Sequence, residues 1–444
     1  MQINIILNYF VINGGIVMVI LSLGQKIKRL RKDKELTLEC LGEEYVSKAH
    51  LSIIENDKAS PSINLLQFLA NKLEVDLEFL LETEKEQAIR YCNIWIKEME
   101  AKVKLNRTSG IDEIYNNIEK VGKDYKLSDI QGQSNLLYAQ LRINAGKYDE
   151  ALDYIQKSIH FSTKADNISR IIKAYNKEGY IYLHKGMYEI AVQKHKQAFM
   201  FYKTLFHEDL IIKSDIFFNL SIAYHKLKDK ENAIKYAEQV CEINKEINHP
   251  KRYAQSLLNC SSSYILNKNY KAAQKVLEEA NLLLDKQNEY RLQSLIANNL
   301  GKVYLDYGEN EKALEQLLKA KDLKEKHNTD DLPKTLFELC KFYIKNGRIE
   351  KAFEELGYAM KLSEEKNLES NKIEGLNIYI DYYAAQNRYN EAIEKLKELI
   401  DVLINLEKDD ELVGTYLKLG NTLNLINHRE EAIFYFNKAY NLLK

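Results

Sequence analysis

From residue 134 onward, apolar positions return with a period close to 40 residues, and each period carries two helical stripes separated by a short polar turn. The recurring stretch reads INAGKYDEA ending at Ala151, YLHKGMYEIA at Ala191, AYHKLKDKENA at Ala233 and SYILNKNYKAA at Ala273. It continues as VYLDYGENEKA at Ala313, FYIKNGRIEKA at Ala352, YYAAQNRYNEA at Ala392 and TLNLINHREEA at Ala432. The alanines are 40, 42, 40, 40, 39, 40 and 40 residues apart. Nine residues before the alanine stand Tyr182, Tyr224, Tyr264, Tyr304, Tyr343 and Tyr383. Twelve before it stand small residues: Ala139, Gly179, Ser221, Ser261, Gly301, Cys340 and Gly420. This register predicts paired helices A and B, with an aromatic of helix A beside the helix B alanine, where missing bulk lets the two backbones approach. Gly146, Gly186, Gly308, Gly347, Asn387 and Asn427 are placed to end helix A in a left-handed conformation.

Upstream the pattern shortens. Between Leu23 and Glu82 it predicts five short helices. Ile27 and Leu30 mark the first, and Leu38 and Leu41 the second, which Thr37 caps. Leu51 and Ile54 mark the third behind Ser47, with Lys48, His50 and Ser52 outward. Leu65, Leu66, Leu69 and Leu73 mark the fourth behind Ser62, and Leu77, Leu80 and Leu81 the fifth behind Asp76. Such a cluster, with a tight connection after the second helix, describes a module whose third helix enters the major groove of DNA. The chain thus reads as residues 18–82, a DNA-binding domain; 83–133, a linker helix and degenerate helical pair; and 134–444, eight repeats. Residues 1–17 are expected to be a mis-annotated start or disordered tail. They are apolar but broken by Asn4, Asn8, Asn13, Gly14 and Gly15, and translation from Met18 is the alternative beginning.

Composition agrees with an all-α chain: with only 3 Pro and 17 Gly in 444 residues, turn punctuation is too sparse for a β-rich fold. Net charge of −1 excludes a polycation held to nucleic acid by bulk electrostatics. Residues 18–82 carry 9 Lys and Arg against 11 Asp and Glu, though Lys26, Lys28, Arg29, Arg31, Lys32 and Lys34 make a local positive stripe. The five cysteines are scattered with no CxxC spacing and are expected to be buried thiols in a reducing compartment. No metal ligand set, cofactor motif, P-loop, GxSxG or Cys/His pair is found, so no enzyme is expected.

The stretch LTLECLGEEYVSKAHLSIIENDKASPS resembles the XRE (Cro/repressor-like) helix-turn-helix family. The resemblance implies DNA contacts by Thr37, Ser47, Lys48, His50, Ser52, Asn56 and Lys58, with Arg29 contributed by the basic stripe. Leu38 and Ile53 depart from the family's usual polar side chains, and an aliphatic there meets a thymine methyl rather than hydrogen-bonding adenine. The 40-residue unit resembles the tetratricopeptide repeat (TPR), whose arrays wind into a right-handed superhelical solenoid with the A helices lining the concave face.

An XRE-like domain joined to lengthened repeats resembles the RRNPP family of cytosolic receptors for signalling peptides. That resemblance implies a transcriptional regulator acting in quorum sensing, in which A-helix asparagines grip a short linear peptide and the peptide controls the DNA-binding heads. Asn219, Asn259 and Asn299 occupy one equivalent position in three consecutive repeats, with Asn176, Asn298 and Asn377 one place earlier. Lys302 and Lys341, one turn further on, are candidates for a peptide carboxylate. Helix packing is the competing role for the asparagines, and ion pairing for the lysines. Partners expected are operator DNA, a peptide, a second copy of the chain through Ile433, Phe436, Ala439 and Leu442, and a response regulator; no membrane is expected. The rival reading is a scaffold that sequesters or modulates a response regulator, its helix-turn-helix vestigial.

Overall fold

The computed structural model describes residues 9–12, 15–284, 289–327 and 329–443. Two short strands, β1 (Tyr9–Ile12) and β2 (Gly15–Met18), pair antiparallel with Tyr9 opposite Met18. The segment 1–17, expected as a mis-annotated start or disordered tail, lies outside the described residues at 1–8 and 13–14. All other regular structure among the described residues is helical, as the all-α reading requires.

Five helices follow: α1 (Leu23–Asp33), α2 (Leu38–Gly42), α3 (Lys48–Glu55), α4 (Ile63–Leu73) and α5 (Leu77–Leu81). Thr37, Ser47 and Ser62 cap α2, α3 and α4 by accepting the backbone N–H of Cys40, His50 and Leu65. Asp76 stands at the start of α5 but makes no such bond. Ile27, Leu30, Leu41, Leu51, Ile54, Leu65, Leu66, Leu69, Leu73 and Leu80 form the core. Leu81, expected inside, is exposed, and Leu38 is half-buried.

Two polar clamps hold α3 against α1. Arg31 donates from Nε and Nη2 to the buried Glu55 carboxylate at 2.6 and 2.8 Å. Asp57 accepts from the Gly24 N–H at 2.8 Å and from the Ser22 hydroxyl, and a Cβ on Gly24 would lie 2.3 Å from the Ile54 carbonyl. The next helix, α6 (Glu84–Lys104), is tied to the head by the buried Gln87. Its amide accepts from Leu21 N at 3.1 Å and donates to Leu21 O at 2.8 Å. Helix α7 (Ile111–Asp124) pairs with α6, in the segment expected to hold a degenerate pair.

The remaining helices alternate A and B. They are α8 (Ser128–Asn144), α9 (Tyr148–Lys164), α10 (Ile168–His184), α11 (Tyr188–Tyr202), α12 (Leu210–Lys226), α13 (Lys230–Glu246), α14 (Pro250–Leu266) and α15 (Tyr270–Leu284). The series closes with α16 (Tyr290–Tyr307), α17 (Asn310–Lys326), α18 (Leu332–Lys345), α19 (Ile349–Glu365), α20 (Glu369–Ala385), α21 (Tyr389–Asn405), α22 (Asp409–Leu425) and α23 (Arg429–Leu442). The chain divides into two compact units, 1–223 and 224–444, the division falling within α12. The repeat alanines from Ala151 to Ala392 are fully buried, and Ala432 is 2% exposed. All six residues expected to end helix A left-handed do so, from Asn387 at φ 56° to Gly308 at φ 77°. In two repeats Lys228 and Lys268 take the same conformation.

The small residues of helix A mark close approach. A Cβ added to Gly301 would meet Leu317 Cγ at 2.6 Å, and one added to Gly420 would meet the Phe436 ring at 2.5 Å. Gly301→Ala therefore overpacks the second unit, and its urea midpoint should fall by the equivalent of about 1–3 kcal/mol. In the first unit, Arg31→Ala leaves Glu55 buried without its partner. It should destabilise the head by about 2–3 kcal/mol in the same measurement, while Lys48→Ala, which breaks a pair lying in solvent, should leave the midpoint nearly unchanged.

Candidate nucleic-acid interface and ligand groove

The face that would read DNA is built at two helix N-termini, where capping hydroxyls and uncompensated N–H groups already favour phosphate. Thr37 begins α2; Ser47, Lys48 and His50 begin α3, and all four are exposed. Ser52 is half-buried, and Asn56 donates its amide to the Ser52 carbonyl at 2.7 Å, ending α3. Lys58 is exposed in the turn that follows, and Ile53 is 43% exposed on the same helix. Lys48 pairs with Glu39 at 2.7 Å, both side chains in solvent.

Part of the positive stripe expected along α1 is spent inside the molecule. Lys26 is buried, and its ammonium donates to the carbonyls of Phe79 and Glu82, both at 2.6 Å, satisfying the end of α5. Burial, against the pull of Glu82, holds that ammonium below the ordinary lysine pKa. Arg31 is committed to Glu55, Lys34 to Glu74 at 2.8 Å, and Arg29 lies 3.7 Å from Asp33. Spacing alone had put these charges on one face. The partners of Lys26, Arg31 and Lys34 come from α3 and from the ends of α4 and α5, which local pattern does not reveal.

The asparagines are distributed over both units. In the second unit Asn259 and Asn299 are half-buried. The buried Asn298 accepts from the Thr335 hydroxyl at 2.9 Å, and Asn377 donates to the Ile373 carbonyl of its own helix at 2.9 Å. Lys302 is paired with Glu338 at 2.9 Å, and Lys341 bridges Glu338 and Glu374 at 3.2 and 3.0 Å. Burial opposes the Lys341 charge, but Glu338 and Glu374 raise its pKa above the ordinary value. These lysines therefore meet carboxylates of the chain itself rather than standing open for a ligand's.

In the first unit Asn176 and Asn219 come together. Asn219 Nδ2 donates to Asn176 Oδ1 at 3.1 Å. Both line a cavity of about 350 Å³ with Gln140, Ile143, Lys177, Tyr180, Asp215 and Phe218, contributed by the A helices α8, α10 and α12. Lys177 hydrogen-bonds the Gln140 carbonyl oxygen. Burial, with Lys173 adding and Asp215 opposing, holds the Lys177 ammonium below its ordinary pKa. The pocket offers amides, one ammonium and one carboxylate along an apolar wall of Ile143, Tyr180 and Phe218. Such a lining suits a segment carrying alternate N–H and C=O groups. Gln140, Lys177 and Asp215 were not among the expected site residues, although Lys177 holds the register position that Asn219 holds one repeat later.

Beneath Asn176 lies His195, fully buried on α11, with Nδ1 2.7 Å from Asn176 Oδ1. Burial lowers its pKa to about 3. Cys40 is exposed and Cys241 half-buried, against the expectation that every thiol is buried. At α23 the outward apolar side chains are Ile433, Phe434, Tyr440 and Leu442, whereas Ala439 is buried and Phe436 turns toward Gly420. Among the described residues, no helix is long and apolar enough to cross a membrane.

Comparison with known proteins matches residues 27–80 to a helix-turn-helix model, and residues 214–247 and 413–442 to a tetratricopeptide repeat model. Response regulator aspartate phosphatase I of Bacillus subtilis is 29% identical over 230 residues, 47% of this chain and 56% of the relative; the chain thus spans little more than half of that protein's length. Its name overturns the expectation that no enzyme is involved, which rested on missing motifs alone. The apo quorum sensor NprR of B. thuringiensis shares the fold at TM-score 0.58 and 16% identity, over 81% of this chain and 99% of its own. A Rap protein complexed with competence and sporulation factor does so at TM-score 0.53 and 17% identity, over 79% and 97%.

The buried histidine generates a pH prediction. Its folded pKa lies below the unfolded value of about 6.5, so the unfolded chain binds the extra proton as pH falls and stability drops between about pH 6.5 and 3. From pH 7 to pH 5 the first unit should lose about 2 kcal/mol by urea titration from this group, and His195→Leu should remove that component.

Proposed function

We propose that this chain, which has the joined helix-turn-helix and tetratricopeptide architecture of the RRNPP type, is a cytoplasmic DNA-binding regulator whose repeats take up a short linear signalling peptide. The observation that carries the reading is the amide-lined cavity across α8, α10 and α12, in the same unit as the exposed N-terminal face of α3. Peptide contacts are assigned first to Asn176 and Asn219, and then to Asn259, Asn299 and Asn377. DNA contacts are assigned to Thr37, Ser47, Lys48 and His50, with Ser52, Asn56, Lys58 and Arg29 at the margin.

Because Lys26 and Arg31 serve the interior and Lys34 is paired with Glu74, fewer cations remain to displace counterions, and a single head binds weakly. A homodimer supplies the second half-site, with Ile433, Phe434, Tyr440 and Leu442 as the surface offered to the second copy. The names of the relatives favour a second reading, in which the repeats engage a response regulator and promote its dephosphorylation.

Retardation of the protein's own promoter DNA, with and without a synthetic peptide from a neighbouring secreted reading frame, tests the first reading. The doubly substituted Lys48→Ala/His50→Ala protein should bind that DNA at least tenfold more weakly, and Lys58→Ala should make binding less salt-dependent by about one counterion. Retardation unaffected by the double substitution defeats the DNA assignment. Loss of phosphate from a phosphorylated response regulator, followed on the same protein, identifies the second.

A further inference from the structure

His195 stands four residues after Ala191. The matching places in other repeats hold Ile155, Ala237, Leu277, Leu317, Leu356, Leu396 and Phe436. A histidine at an otherwise apolar core position gives up hydration for no gain in packing, which selection against instability would remove unless the polar atom has work to do. The fold makes room for it: a Cβ on Gly179 of α10 would come within 2.5 Å of the imidazole ring. The ring therefore lies flat against the helix that carries Asn176.

Its two nitrogens are in different situations. Nδ1 is 2.7 Å from Asn176 Oδ1, and Nε2 is buried without a hydrogen-bond partner. A buried orphan N–H is rarer and costlier than an orphan acceptor, so the proton belongs on Nδ1. Nδ1–H then donates to Asn176 Oδ1, which already accepts from Asn219 Nδ2. With both lone pairs of that oxygen used, Asn176 turns its NH₂ toward the cavity, and Asn219 keeps its carbonyl oxygen for a donor.

We propose that His195 is a positioning residue that fixes the polarity of the Asn176–Asn219 pair, so that the cavity presents a donor at Asn176 and an acceptor at Asn219 to one backbone amide unit of an extended peptide. The inference rests on the peptide-binding reading and adds the direction of its hydrogen bonds. Loss of His195 frees the Asn176 amide to rotate, and half of its orientations then place like groups against the ligand.

The test has two arms. In the full-length protein labelled with ¹⁵N-histidine, signals assigned by their absence from His195→Leu should show a neutral ring protonated at Nδ1 at pH 7; an Nε2–H ring overturns the assignment without touching the peptide reading. In the second arm, a library of random heptapeptides is captured on immobilised protein and weighed by mass spectrometry. His195→Leu, which restores the apolar residue of other repeats, should melt no lower than wild type yet capture the enriched peptides at least tenfold more weakly. His195→Asn, whose amide nitrogen falls where Nδ1 was, should recover capture despite a lower melting temperature. That opposition of stability and binding is not what a merely structural role gives. Equal capture by wild type and His195→Leu overturns the inference alone, while no capture by wild type overturns the peptide reading together with it. Should His195→Leu fail to fold, capture by His195→Asn no better than by Asn176→Ala overturns the inference.

Discussion

Everything in the repeat region depends on the close approach of helix A to helix B at a buried alanine. That contact leaves little room: the alanine has no exposed surface in seven of the eight repeats, and in the three repeats where glycine stands twelve residues before it on helix A an added Cβ would clash with helix B. Once the same few positions hold every pair together, the fold is indifferent to much of the remaining surface. Chemistry can then be written as departures from the repeat. His195, where the other repeats carry Ile, Ala, Leu or Phe, is such a departure, and it lies against Asn176 of the cavity.

The parts of the molecule readable in the sequence are those fixed by local backbone geometry. Left-handed residues at Gly146, Gly186, Gly308, Gly347, Asn387 and Asn427, hydroxyl caps at Thr37, Ser47 and Ser62, and the alanine register each depend on neighbours within one or two turns. What periodicity could not supply was the partner of a charge. Lys26 and Arg31 sit at helical spacing that looks solvent-facing, yet they end on the carbonyls of Phe79 and Glu82 and on Glu55. Lys302 and Lys341 project where a groove was expected, yet carboxylates one helix pair away meet them. His195 was visible in register all along. Its meaning needed the third dimension, because Asn176 and Asn219 become neighbours only when α10 and α12 stand side by side.

Pairing of these charges within the head bears on the proposed DNA binding as well. A basic first helix read from sequence implies phosphate contacts, and phosphate contacts dominate affinity. Lys26 and Arg31 hold the head together, so they govern its stability, and on the proposed reading the DNA contacts fall to the N-terminus of α3. On the DNA-binding reading proposed above, sequence discrimination leans on Ser47, Lys48 and His50, and on a methyl contact from Ile53. A module of this kind gains more from being presented in pairs than from any added lysine.

The coupling that the proposed function requires between cavity and head has a contact route within the first unit. Gln87 of α6 clamps both backbone groups of Leu21 just before α1, and Lys26 closes the end of α5 against the start of α6. The head is thus fastened to α6, and α6 packs in one apolar core with α7 and α8. Helix α8 in turn supplies Gln140 and Ile143 to the cavity. A ligand that draws α8, α10 and α12 together acts on the last member of that chain of contacts. It alters the head only by its difference in affinity between the two arrangements, since equal affinity for both moves nothing. Reversing a 1:99 population requires about 5.5 kcal/mol of such preference. A few backbone hydrogen bonds at about 1 kcal/mol each do not reach it unless their donors and acceptors are already oriented. An amide pair whose polarity is fixed before the ligand arrives is therefore worth more to a switch than additional contacts would be.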